Sequence, residues 1–163
     1  MNRRVAALAA LATVLMLVAV WGWWRATDSG PVEDPRRAAV MTAAAHATTV
    51  LMTQQPGDPP VRADVKSLLT GRLADEYASQ GADVVLPGAV ERRMTMTARV
   101  VGTGTAELRS TRARVLVFVD LWATPHAAEQ QAPRVPLARW AAMRNVDGKW
   151  LLAGLTPVGG TFS

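Results

Sequence analysis

An α+β domain carried behind a single membrane-spanning helix is the architecture this sequence predicts. Three observations predict it. Residues 5–24 form an uncharged apolar run. Apolar residues at helical spacing then fill residues 34–79, and strict alternation takes over near residue 93. A run of helices followed by a run of strands indicates helices segregated to one side of an antiparallel sheet.

The run comes first. Between Val5 and Trp24 only Thr13 and Gly22 fall outside the hydrophobic set. At ~1.5 Å per residue, 20 residues reach ~30 Å, the thickness of a bilayer core. A cleaved signal peptide has a shorter core that ends in small residues. This run ends Trp21-Gly22-Trp23-Trp24-Arg25. Three indoles suit the headgroup level and Arg25 suits a snorkelling anchor, so the reading favoured is a retained anchor. Arg3 and Arg4 abut the run on one side, against Arg25, Arg36 and Arg37 on the other. The count is nearly tied and is read as N-terminus in the cytoplasm and domain outside, in the cytoplasmic membrane. The organisation is therefore residues 1–24 as cytoplasmic tip and anchor, 25–33 as linker, 34–158 as domain and 159–163 as tail.

Each element of the domain has its own signal. Asp34-Pro35 starts a helix, as a capping residue and a first-turn proline. Ala39, Val40, Ala43, Ala47, Val50 and Leu51 fall near one face of it, and Pro56-Gly57 ends the region. Asp58-Pro59 opens a second helix through Val61, Val65, Leu68 and Leu69. Thr70 is placed to cap a third over Arg72 to Ser79, with Leu73 and Tyr77 turned to the core. Met94, Met96, Ala98 and Val100 then alternate with Arg93, Thr95, Thr97 and Arg99, a half-buried strand that Gly102-Thr103-Gly104 loosens. From Arg112 to Thr124 both faces are largely apolar, which predicts a central strand stopped by Pro125. Val135 to Val146 and Lys149 to Leu155 read as a hairpin about Asp147-Gly148.

Composition restricts the chemistry. The chain has no cysteine, which excludes disulfides, thiolate zinc, iron–sulfur clusters and thiol catalysis. Its two histidines, His46 and His126, make a histidine metal site a poor expectation. Net charge is +5, without a basic cluster interleaved with aromatics along the chain, so no nucleic-acid partner is expected. No Walker motif, HExxH or Ser-His-Asp order occurs. No cofactor and no catalytic residue is assigned.

The ordered motifs Ala47-Thr48-Thr49-Val50-Leu51, Leu68-Leu69-Thr70-Gly71 with Tyr77, Arg114 to Asp120, Asp147-Gly148-Lys149-Trp150-Leu151-Leu152 and Leu155-Thr156-Pro157-Val158 stand behind one anchor. In this order the chain resembles the Mce-associated membrane proteins of mycobacteria and related actinobacteria. The resemblance implies a cone of the nuclear-transport-factor-like (NTF2-like) type, three helices on a curved antiparallel sheet. It also implies an accessory role beside Mce complexes, which carry lipids or sterols across the envelope. Expected partners are thus the lipid membrane, Mce subunits and a possible lipid ligand.

Two alternatives stay open. A pocket built from Tyr77, Phe118, Asp120 and Trp122 could bind a lipid or use Asp120 as acid or base, since a carboxylate among apolar groups can gain basicity. The plainer expectation for Asp120 is a rim carboxylate bonded to an arginine. His46 reads as a packing residue, His126 as solvated. Trp122, Trp140 and Trp150 read as core, and the strand arginines as a solvated face. The second alternative is an assembly scaffold like the NTF2-like parts of type IV secretion systems.

Overall fold

The computed structural model describes residues 34–88, 91–125 and 134–159. The anchor run with Trp21, Trp23, Trp24 and Arg25, the 25–33 linker and His126 lie outside the described residues. Among the described residues no helix is long and apolar enough to cross a membrane.

Helix α1, Pro35–Leu51, buries Val40, Ala44, Ala47, Thr48 and Leu51. The buried stripe is rotated from the expected one: Ala39 is exposed, and Ala43 and Val50 are half-buried flanks. The reason is composition. Alanine occupies nearly every candidate position and carries too little apolar area to fix the helix angle. Val40 and Leu51, the large side chains, set it. Small residues on the buried stripe let α1 lie close across all four strands of the sheet.

Helix α2 is a single turn, Ala63–Lys66, and not the longer helix expected through Leu69. Leu69 instead forms a parallel bridge with Leu152. The Leu152 N–H donates to the Leu68 carbonyl at 2.9 Å, and the Thr70 N–H to the Leu152 carbonyl at 2.9 Å. Those sheet bonds replace the helical ones that would have continued α2. Helix α3, Gly71–Gln80, follows with Leu73 and Tyr77 buried as expected, but Thr70 at its N-cap makes no side-chain capping bond. Gly81 ends it at φ +61, and a 3₁₀ turn covers Gly81–Val84.

Four antiparallel strands follow in the spatial order β1-β2-β3-β4: β1 Met94–Leu108, β2 Arg112–Pro125, β3 Val135–Val146 and β4 Lys149–Pro157. Strand β2 is interior, as its two apolar faces predicted. Strand β1 continues past Gly102 and Gly104, absorbing two irregularities between Val100 and Gly102 and between Thr105 and Glu107. These glycines accompany a bulge rather than a strand end. The β3–β4 hairpin turns at Asp147 (φ +50) and Gly148 (φ +85), the paired positive angles of a type I′ turn.

Val115, Val117, Val119 and Leu121 face the helices and meet Val40, Leu51 and Tyr77 in one core. Both sheet edges are partly covered. Gln54 bridges to Met96 on β1, through N–H to carbonyl bonds of 2.9 and 2.8 Å, and Leu69 bridges β4. Such cover protects an open sheet against edge-to-edge pairing.

Candidate functional site

The four suggested pocket residues lie on two sides of β2. Tyr77 is 1% exposed and belongs to the core on the helical side. Its hydroxyl accepts the Arg62 backbone N–H at 3.0 Å. Phe118, Asp120 and Trp122 alternate with Val117, Val119 and Leu121 and so lie on the opposite, outer face. Tyr77 therefore does not join them.

Arg62 is a residue the sequence reading passed over. Its guanidinium donates to the Thr53 carbonyl at 2.6 Å and to Asp64 Oδ1 at 3.2 Å, and lies 3.6 Å from Asp58 Oδ2. It clasps the connection between α1 and α2 while its backbone holds Tyr77. The guanidinium keeps the Asp64 carboxyl below its ordinary range. Burial pushes the Tyr77 phenol above its ordinary range, and the Arg62 N–H opposes that in part.

On the outer face, Phe118 is 45% exposed and Asp120 8%. A groove of about 420 Å³ is lined by both, with Gly102, Pro136 and Ala138. Asp120 Oδ2 accepts from Arg134 at 3.2 Å. Paired with a guanidinium, it is not the isolated carboxylate that general-base chemistry in an apolar pocket uses. His46 is exposed on α1 rather than packed. Trp150 packs against the core as expected, whereas Trp122 and Trp140 sit on the outer face.

The larger groove, about 730 Å³, lies at the other end of the same face. Arg109, Arg112, Arg114 and Arg144 line it with Trp140 and Glu107. The Arg114 guanidinium stands 4.2 Å from the Trp140 ring centroid, a cation–π stack. Arg109 pairs with Glu107 and holds that carboxyl below its ordinary range. Arg112 and Arg144 are direct cross-strand partners. Like charges placed so are unfavourable unless an anion answers them. The start of α1 is tied to this end, since Arg36 donates to the Arg109 and Ser110 carbonyls at 3.4 and 3.3 Å. The Asn145 N–H donates to the Thr111 carbonyl at 2.9 Å, joining the β1–β2 and β3–β4 turns. Arg139 departs from the solvated arginines expected: it points to the helical side, half-buried, and burial lowers its pKa.

These features define an α+β domain with its helices on one face of a four-stranded antiparallel sheet and a basic groove on the other. No family model matches the chain. Outer membrane protein Rv1973 of Mycobacterium tuberculosis is 30% identical over 137 residues, covering 80% of this chain and 82% of that protein. The chain belongs to the family of that protein. Uncharacterized protein Rv1362c of the same organism is 34% identical over 136 residues, 81% of this chain and 58% of the relative. Among solved structures, an IcmL-like type IV secretion system protein from Legionella pneumophila superposes with TM-score 0.59 at 13% identity, covering 78% of this chain and 96% of that one. The intermembrane-space region of chloroplast protein ARC6 gives 0.50 at 10% identity, covering 77% and 97%. At such identities the likeness concerns the fold.

Proposed function

We propose that this protein is a membrane-tethered, non-catalytic accessory component of an envelope complex of the Mce type, with an NTF2-like domain outside the cytoplasmic membrane. The observation that carries the reading is the pairing of an uncharged run at residues 5–24 with kinship, over most of both chains, to a protein named for a membrane. An uncharged 20-residue span is what an α-helical anchor needs. The helical side of the sheet is packed with side chains, Val40, Leu51, Tyr77, Val115 and Val117 among them, which favours a binding or positioning role over a pocket enzyme. The engaged carboxylate of Asp120 favours the same reading.

In this role the anchor holds the domain beside a lipid or sterol transporter, and the domain stabilises or positions its subunits. Crosslinking in native membranes tests the proposal. Recovery of the protein covalently joined to Mce subunits is expected. Recovery only as an uncrosslinked monomer, with the transporter present in the same membranes, contradicts it. Fractionation of the envelope gives the membrane: cytoplasmic membrane is expected, and sole recovery in the outer membrane overturns the single-pass topology.

A further inference from the structure

We infer that the end of the domain bearing the β1–β2 turn docks on an anionic lipid surface. The inference rests on the anchored reading above and adds an orientation to it. Arg36, Arg37, Arg109, Arg112, Arg144 and Lys149 gather at this end, against Asp34, Glu107 and Asp147. Arg36 hydrogen-bonds the turn itself, and Arg37 donates to the Thr105 carbonyl at 3.5 Å. Among the described residues, Arg112, Arg144 and Lys149 have no carboxylate partner. The opposed Arg112 and Arg144 are a repulsive pair that a phosphate-bearing surface would relieve.

Chain connectivity selects the occupant. Helix α1 starts at this end, and only residues 25–34 separate it from the apolar run. Ten extended residues reach about 35 Å at most. The tether therefore joins the domain at its basic end, and anionic headgroups draw clustered arginines over about a Debye length once the two meet. The segment 54–84 carries Asp58, Asp64, Asp75, Glu76 and Asp83 against Arg62, Lys66 and Arg72, so the attraction is not a uniform property of the molecule.

The absence of cysteine makes the test direct, because a single introduced thiol is labelled alone. The full chain is reconstituted in phosphatidylcholine vesicles with or without about a third phosphatidylglycerol. It carries a fluorophore on Ser110→Cys, in the turn, or on Thr97→Cys, toward the far end of β1. Headgroup-attached nitroxide is the quencher. Several-fold stronger quenching at position 110 than at 97 is expected with phosphatidylglycerol. It should fall to the position 97 level without that lipid, or in about 0.5 M salt, where the short Debye length screens the attraction. Arg112→Gln with Arg144→Gln should remove at least about half of it while the urea midpoint holds. Equal quenching at the two positions, or quenching indifferent to lipid charge, overturns the proposal and leaves an acidic protein as the occupant of this end. Loss of the chain from neutral vesicles on flotation overturns the anchored reading instead. Flotation with phosphatidylglycerol vesicles then decides docking, co-flotation supporting it and its absence overturning it.

Discussion

The hydroxyl of Tyr77 and the hydroxyl of Thr48 are both buried, and they differ in what they meet. Tyr77 accepts the Arg62 N–H. Thr48 Oγ1 has no hydrogen-bond partner among the described residues. Tyr77→Phe should lower stability by about 1 kcal/mol, because it leaves a part-buried amide unpaired. Thr48→Val should raise stability by about 1 kcal/mol, because it removes an unpaired hydroxyl from the core. Urea unfolding checks both, and the opposite signs are the informative result. Burial also raises the Tyr77 pKa above 10.0. The unfolded chain then releases its proton first, so stability present below pH 10.0 is lost as pH rises toward the folded value. Tyr77 is the only tyrosine in the chain, so tyrosinate absorbance follows it alone, and the alkaline loss should shrink in Tyr77→Phe. Burial of Tyr77 was legible from its spacing to Leu73. Its separation from Phe118, Asp120 and Trp122 was not, because adjacency in space across a sheet depends on which face each element covers.

Elements with local chemistry were readable, and those set by distant backbone were not. The Asp147-Gly148 turn and the apolar run of β2 carry their own instructions, and both form as expected. Helix α2 shows the other case: its apolar pattern continues through Leu69, yet bonds to Leu152, far along the chain, end it at Lys66. No local signal announces that competition. The bridge of Gln54 to β1 is hidden for the same reason. Gly81 is a junction of this kind. It ends α3 at φ +61, and a Cβ there would lie 2.2 Å from the Pro60 carbonyl oxygen. Gly81→Ala must both adopt a left-handed angle and displace backbone, so a loss of at least about 2 kcal/mol is expected. Gly148→Ala, at φ +85 with open space around it, should lose about 1 kcal/mol through the angle alone. Thermal unfolding of the two variants side by side separates the steric part from the conformational part.

Across the whole molecule, half the residues are hydrophobic, but the excess is concentrated in residues 5–24 and the remainder is an ordinary globular domain. Charge is also unevenly placed. Arg36, the neighbouring Arg109 and Arg112, and Arg144 come from three distant stretches of the sequence. The register of β2 with β3 and the seat of α1 on the β1–β2 turn bring them to one end. Fold class was thus visible from periodicity, whereas the basic groove required the strand register, which alternation alone leaves undetermined. The proposed function requires that residues 5–24 hold the domain at a bilayer. Alkaline carbonate extraction of membranes from cells producing the full chain tests that most directly. The protein should remain with the membrane pellet, as an integral span requires, and its release into the soluble fraction would contradict the account.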